Sequence, residues 1–126
     1  MSTAMGPYSP IVTAGPWLIC SGQLGMHSEF GDVPSLVKGG TPAQLTAALE
    51  NAEGLLRGHG ATREEVVKTT VFLTDMADAA AVNEAYVAFF GEHRPARSMV
   101  AVAGLPLGAL VEVEVWAYRE AHTEEP

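Results

Sequence analysis

The chain has 126 residues, of which 48% are hydrophobic, so it is predicted to form a single domain, 1–126, and not a disordered segment. Seven Lys and Arg residues against 15 Asp and Glu residues give a net charge of −8, which opposes binding to nucleic acid or to a membrane surface. Cys20 is the only cysteine, so no disulfide can form within the chain. Neither a secretory signal nor an apolar run of about 20 residues is evident, which predicts a cytoplasmic protein.

The N-terminal part of the chain predicts a β-hairpin followed by a loop. Residues 8–24 contain two β-prone runs on either side of Gly15 and Pro16, a dipeptide typical of a tight turn, and Gly22 closes the second run. Residues 25–40 are rich in Gly, Ser and Pro. We therefore expect a loop there, with one short extended piece near Val37.

The first helix is predicted from its capping signals. Thr41 and Gln44 have the spacing of a capping box, and Pro42 stands at the first helical position. The apolar residues that follow lie on one stripe at helical spacing: Leu45, Leu49, Ala52, Leu55 and Leu56. Gly58 and Gly60 end the helix. Residues 62–65 repeat the capping-box spacing on a short turn.

A strand and a second helix are predicted next. Residues 66–73 form a β-prone run in which Val67, Val71 and Leu73 are expected on one face and Phe72 on the other. Asp75 or Asp78 is expected to cap the helix. Its apolar stripe consists of Val82, Tyr86, Phe89 and Phe90, and Gly91 ends it.

Two further strands, at 96–103 and 109–118, complete the predicted fold, and residues 119–126 are expected to form a frayed tail. The element order is then ββ(β)αβαββ. Because each helix connects two strands and such crossovers are right-handed, both helices should cover the same face of one sheet. The predicted class is α+β, a mixed β-sheet with two helices packed on one face.

The opposite face of that sheet would have no helix to cover it. Alternation in the last strand places Val111, Val113, Val115 and Ala117 towards the helices and Leu110, Glu112, Glu114, Trp116 and Tyr118 away from them. In the strand before it, Val100 and Val102 are expected towards the helices, and Arg97, Met99 and Ala101 away from them. Charges on this face are typical of contact with water, whereas its large apolar side chains favour cover by other subunits. The sequence leaves both interpretations open.

Few residues carry recognisable chemistry. The four His residues have no metal-ligand spacing, Cys20 lies inside an apolar run, and neither a nucleophile elbow nor a phosphate-binding loop occurs. Arg97 remains as a group that could bind a carboxylate through two parallel hydrogen bonds. Glu112 could orient or deprotonate water, and Tyr8 and Ser21 could donate hydroxyl hydrogen bonds. By spacing alone, the default interpretation of Arg97 is an ordinary surface arginine.

Six strings occur in one order along the chain: GPYSP at 6–10, SGQ at 21–23, VKTTVFLTD at 67–75, VNEAYVAFF at 82–90, PARSMVAVAGLP at 95–106 and VEVEVWA at 111–117. Over residues 6–119 the sequence closely resembles the reactive intermediate deaminase family (Rid, or YjgF-like). The resemblance implies a chorismate-mutase-like fold and a homotrimer with active sites between subunits. It also implies hydrolysis of 2-imino acids and their enamine tautomers, of the 2-iminobutanoate/2-iminopropanoate type, to a 2-keto acid and ammonia, with no metal or cofactor.

The resemblance also assigns roles to single residues. Arg97 of PARS matches the arginine that binds the substrate carboxylate, and Glu112, the first glutamate of VEVEV, matches the acid beside the attacking water. Four more positions match residues that line the substrate cleft: Tyr8, Ser21, Asn83 and Met99. Met99 stands where the family often has cysteine, and the loop at 92–95 is shorter than usual, so the resemblance leaves the size and side chain of the substrate open.

Two other functions compete with the deaminase. A trimeric module that binds a small carboxylate as a sensor, without turnover, would need Arg97 but not Glu112. A ribonuclease or translation inhibitor, as some family members have been described, is disfavoured because a chain of charge −8 repels polyanions.

Overall fold

A computed structural model describes residues 6–27 and 33–120, which form an α+β fold with a mixed five-stranded sheet. The strands of this part of the chain are β1 (Ile11–Ala14), β2 (Trp17–Leu24), β3 (Met26–His27), β4 (Ser35–Leu36), β5 (Val66–Leu73), β6 (Ala96–Ala101) and β7 (Val111–Tyr118). The helices are α1 (Gly40–Arg57) and α2 (Ala79–Phe90), with 3₁₀ turns at Arg63–Glu65, Met76–Asp78 and Pro106–Gly108. The large sheet has the order β1-β2-β7-β5-β6, and β5 and β6 are its parallel pair.

The N-terminal hairpin is confirmed, with Gly15 at φ +60° in the turn between β1 and β2. β2 does not stop at Gly22 as expected but continues to Leu24, through a bulge between Cys20 and Gln23. The expected extended piece near Val37 is β4, which pairs with β3. The rest of the predicted loop includes residues 28–32, which lie outside the described residues.

The capping box predicted at the start of α1 is wrong. The helix begins at Gly40, and its N-cap residue is Gly39, without a side-chain capping bond. The Thr41 hydroxyl instead donates to the Asp78 carboxylate over 2.7 Å, and the Gln44 side chain accepts a hydrogen bond from the Leu110 backbone N–H over 2.9 Å. Both polar side chains are buried and bind distant parts of the chain, so neither is available to cap the helix.

Of the other predicted caps, those at Thr62 and Asp75 form hydrogen bonds to the backbone. The box between Thr62 and Glu65 is confirmed, with the Thr62 backbone N–H donating to the Glu65 carboxylate over 2.9 Å. Of the two candidates before α2, Asp75 accepts from the Ala77 backbone N–H and caps the preceding 3₁₀ turn. Asp78 occupies the N-cap position of α2 but makes no capping bond with its side chain.

The core lies between the two helices and one face of the sheet. The four residues of β7 predicted to face the helices are all buried, as are the stripes of both helices apart from the partly buried Phe89. The prediction for Val67 is wrong: a bulge between Val66 and Lys68 places Val66 in the core and leaves Val67 40% exposed. The tail predicted to fray from residue 119 is still attached at its first residue, because the Arg119 backbone N–H donates to the Pro16 carbonyl over 2.8 Å.

A charged network joins the two helices at one end of the core. Arg63 donates from Nε and Nη2 to both oxygens of Glu53, over 2.7 and 2.8 Å, and from Nη1 to the Phe89 carbonyl. Its guanidinium also lies 4.0 Å from the centre of the Phe89 ring. These hydrogen bonds from Arg63 hold the pKa of Glu53 below its usual range.

We expect Glu53→Gln to destabilise the fold by about 1–3 kcal/mol, because it removes charged hydrogen bonds from a side chain that is only 11% exposed. The stabilisation by Glu53 should be complete above its unfolded pKa of about 4.3 and lost as pH falls through the lower folded pKa. Urea unfolding of both proteins between pH 3 and 7 measures this. Arg57→Gln is the control, because Arg57 is 65% exposed and its longer ion pair with Glu53 should contribute about 0–1 kcal/mol. Equal effects of the two substitutions would contradict the prediction.

Candidate active site

Arg97 lies on the edge strand β6, and the structure places it on the helix side of the sheet. Its Cα pairs with that of Thr69 in β5, just as Met99 pairs with Val71, and both partners are buried under the helices. The predicted face of Arg97 and Met99 is therefore wrong. Val100, predicted to face inwards, is 43% exposed on the opposite side, because the parallel register with β5 decides which face each β6 residue takes.

The surroundings of Arg97 hold its guanidinium without neutralising it. The guanidinium carbon lies 4.8 Å from the centre of the Tyr86 ring on α2, a cation–π contact. The Tyr86 and Thr69 hydroxyls are hydrogen-bonded over 2.8 Å, and burial raises the pKa of Tyr86, so this ring is fixed and uncharged. Among the described residues, Arg97 makes no hydrogen bond or ion pair. Its donors are thus free to bind an anion.

An open cleft surrounds this arginine. The lining comes from α2 and the segment that leads into β6, and consists of Asn83, Tyr86, Val87, Arg94, Pro95 and Arg97. The structure therefore brings two of the predicted site residues, Asn83 and Arg97, into one cleft. Met99 is partly buried and packs against the core, and it is not among the described residues that line the cleft.

Glu112 lies on the other face of the sheet, which we call the open face and define by Trp17, Phe72, Val100, Glu112 and Trp116. Its Cα pairs with that of Phe72 in β5. Partial burial, and the charge of Glu114 after it, raise the pKa of Glu112. A raised pKa makes the carboxylate a stronger base at neutral pH, which suits proton transfer.

Gly22 makes room for the Glu112 carboxylate. A Cβ atom at Gly22 would overlap that carboxylate, so the bulge in β2 accepts Glu112 only because position 22 has no side chain. The neighbouring Ser21 donates from Oγ to the Ser9 carbonyl over 2.6 Å and from its backbone N–H to the Pro10 carbonyl over 2.8 Å. Residues 8–10, which include Tyr8, therefore run beside Ser21, the residue that precedes Gly22.

One chain thus carries two half-sites on opposite faces of its sheet. The first has Arg97 and Asn83 on the helix side, and the second has Glu112, Ser21 and the segment of Tyr8. β5 separates the strands that carry Arg97 and Glu112. The structure of a single chain therefore does not bring the predicted base to the predicted carboxylate-binding group.

Comparison with known families identifies the chain. The family model described as Endoribonuclease L-PSP matches residues 1–119. The chain belongs to the YjgF/Rid family. This confirms the resemblance drawn from the six sequence strings.

Several relatives of this Rid-family protein are similar over nearly their whole length. A RutC family protein of Pyrococcus horikoshii is 40% identical over 92% of this chain and 90% of its own. The 2-iminobutanoate/2-iminopropanoate deaminase of Escherichia coli is 41% identical over the same shares. The crystal structure of RidA from an Antarctic Psychrobacter is 40% identical, covers 92% of this chain and 91% of its own, and superimposes with a TM-score of 0.84. The fold predicted from the sequence is confirmed.

Other chemical groups of this Rid-family protein lie apart from both half-sites. Cys20 is buried on the helix side of β2, and burial raises the pKa of its thiol to about 12, which makes it unreactive at neutral pH. Within residues 6–27 and 33–120, no group of three or more His, Cys, Asp or Glu side chains is placed to hold a metal ion. In the same part of the chain, no helix is long and apolar enough to span a membrane.

Sequence reasoning missed three residues of the site. Helical spacing predicts Tyr86 in the core, and it is indeed buried, but its ring also supports Arg97. The sequence singles out Arg94 only as part of a short loop, yet it lines the cleft. Gly22 is predicted only as the end of a strand. A glycine between two residues that match a site motif is a signal of close approach, and it was available in SGQ.

We expect Gly22→Ala to lower any activity that depends on Glu112 by about tenfold or more, with a melting temperature within a few degrees of the wild type. The added Cβ displaces the end of a flexible side chain, and no backbone atom lies in its way. The measurement is kcat/KM beside thermal unfolding. Gly104→Ala is the matched control, because a Cβ there meets nothing within 4 Å. Unchanged activity in Gly22→Ala would show that the position of this carboxylate does not matter.

Proposed function

We propose that this protein is a deaminase for reactive 2-imino acids of the 2-iminobutanoate/2-iminopropanoate type, and that its active sites form between the subunits of a homotrimer. The observation that carries the proposal is the Arg97 guanidinium, fixed on the Tyr86 ring in an open cleft and without an anionic partner among the described residues. The Escherichia coli relative named as such a deaminase supports the assignment.

In the proposed reaction, Arg97 binds the carboxylate of the imino acid through parallel hydrogen bonds. Glu112 of the partner subunit accepts a proton from water as the water oxygen bonds to the imine carbon. Glu112 passes this proton to the nitrogen and then transfers the hydroxyl proton of the adduct to the nitrogen as well. The C–N bond breaks, the hydroxyl oxygen becomes the keto oxygen, and ammonia and the 2-keto acid leave. Imines hydrolyse readily in water, so positioning and one acid–base group are sufficient chemistry, and no metal or cofactor is invoked.

The open face supports the assembly into trimers. Trp17 makes edge contacts with Trp116 and Tyr118, at ring-centre distances of 6.0 and 5.1 Å, and all three side chains remain exposed together with Val12 and Val100. An exposed apolar surface of this kind typically marks a protein–protein interface. Because the two half-sites lie on opposite faces of one chain, Arg97 can meet Glu112 only when two copies of the chain associate. A solution mass three times the 13.3 kDa of one chain is expected, and a monomer would contradict the proposal.

A coupled assay tests the reaction. Threonine or serine dehydratase releases the imino acid in the presence of semicarbazide, which traps it, and this protein should speed 2-keto acid formation and reduce the trapped imine. Arg97→Ala is the negative control. No acceleration with several amino acids would contradict the deaminase.

A second function, a carboxylate-binding module without turnover, is favoured by one observation. The cleft of Arg97 is lined by residues of a single chain, whereas Glu112 lies on the other face of the sheet. Binding of small carboxylic acids by a protein that accelerates no imine hydrolysis would support this second function.

A further inference from the structure

The cleft of Arg97 contains a second arginine whose charge is also unused. Arg94 precedes Arg97 by three residues, and both line the cleft. An extended chain spans at most about 3.3–3.6 Å per residue, so the two Cα atoms lie no more than about 11 Å apart. The two arginines therefore lie close together along the wall of the same cleft.

Arg94 is held in place by the end of α2. Its Nη1 donates to the carbonyl oxygens of Gly91 and His93, which follow the last turn of the helix. A guanidinium carries five N–H donors, and within the described residues the Nε and Nη2 atoms of Arg94 have no acceptor. The group is therefore oriented in advance while its remaining donors and its charge stay available to a ligand.

Arg94 and Arg97 differ from the other described arginines, each of which forms an ion pair with a carboxylate. Arg57 and Arg63 both form ion pairs with Glu53, and Arg119 forms one with Glu65. In contrast, no carboxylate is among the described residues that line the cleft, although the chain carries a net charge of −8. Two adjacent cations without a counter-charge repel each other, and an anion bound between them would offset that repulsion.

The charges of Arg94 and Arg97 converge near Tyr86. Burial raises the pKa of this tyrosine, and the positive charges of both arginines oppose that rise. The ring lies in the wall of the cleft, with the Arg97 guanidinium over it. Geometry and charge thus describe one small anion site with two cationic ends.

We propose that the cleft prefers acids with a second carboxylate: Arg97 binds the carboxylate next to the imine, and Arg94 binds the carboxylate at the far end of the substrate. The preferred substrates are then 2-imino dicarboxylic acids. This inference rests on the proposed function for the reaction, but the dicarboxylate preference itself requires only binding.

Binding of stable acids tests the preference without turnover. Succinate and butyrate have the same four-carbon chain and differ in the second carboxylate, and calorimetry at constant ionic strength gives both Kd values. We expect succinate to bind the wild type at least tenfold more tightly than butyrate. This ratio should fall to about one in Arg94→Gln, remain intermediate in Arg94→Lys, and stay unchanged in Arg57→Gln, which removes an equal charge from outside the cleft. Equal Kd values for the wild type, or no binding of either acid at millimolar concentration, would overturn the inference.

Turnover gives the second arm of the test. Amino-acid oxidases release the imines of aspartate and asparagine, which differ only in a terminal carboxylate or amide. We expect the wild type to hydrolyse the aspartate-derived imine with the higher kcat/KM, and the ratio of the two values to fall about tenfold in Arg94→Gln. If the asparagine-derived imine is hydrolysed equally well, the dicarboxylate preference fails and the deaminase function stands. If neither of these imines nor the imines of the coupled dehydratase assay are hydrolysed but succinate binding depends on Arg94, the deaminase function fails and the anion site stands.

Discussion

Arg97→Ala should reduce kcat/KM for imine hydrolysis by roughly 10²–10⁴-fold while leaving the fold intact. Each charged hydrogen bond to a carboxylate contributes about 1.5–3 kcal/mol, and the substitution removes the pair that holds the substrate. Arg97 has no hydrogen bond or ion pair with the described residues, so little stability should be lost with it. Steady-state kinetics and thermal unfolding of the same preparation measure both effects.

Two further variants separate the charge of Arg97 from its shape. Arg97→Lys keeps the charge but loses the planar fork, so its activity should lie between those of the wild type and Arg97→Ala. Arg57→Ala removes an exposed arginine of α1 and should leave kcat/KM unchanged. A near-normal rate for Arg97→Ala would remove this residue from the mechanism.

Glu112→Gln should reduce kcat by about 10²–10⁴-fold, the usual contribution of a general base. Glutamine has nearly the same size as glutamate and can still fill the space above Gly22, but it cannot accept a proton from water. KM should change less than kcat, because Arg97 still binds the substrate. Full activity of Glu112→Gln would favour the binding module or a different base.

The pH dependence of kcat provides an independent test of Glu112. A general base must be deprotonated, so activity should rise with pH through the pKa of Glu112, which burial and the charge of Glu114 raise. Glu114→Gln removes the repulsion between the two carboxylates and should lower that pKa. The acid limb of the pH profile should then move to lower pH, and an unmoved limb would mean that another group titrates.

Mixed trimers test whether Arg97 and Glu112 act across a subunit boundary. Arg97→Ala and Glu112→Gln chains refolded together should regain about a quarter of the wild-type activity, because in a threefold ring one boundary in four joins two intact half-sites by chance. Either variant alone should stay inactive. If mixing restores nothing, the two residues do not meet at a shared site.

Much of the fold could be predicted because it depends on local chemistry. Gly15 and Pro16 marked the first turn, and the alternation of valines in β7 and the apolar stripes of α1 and α2 identified the core faces. The resemblance in strings such as PARS and VEVEV identified the family and pointed to Arg97 and Glu112.

By itself, the sequence determined the two helices, the strands of the large sheet and the family to which the chain belongs, because turn residues, hydrophobic period and motifs act over a few positions. Only the tertiary structure decided the sheet face of Arg97, since the parallel register between β5 and β6 sets it. It also decided the exposure of Val67 and the loss of the cap at Thr41. A bulge reverses the alternation of a strand, and a polar side chain can find a stronger partner 37 residues away.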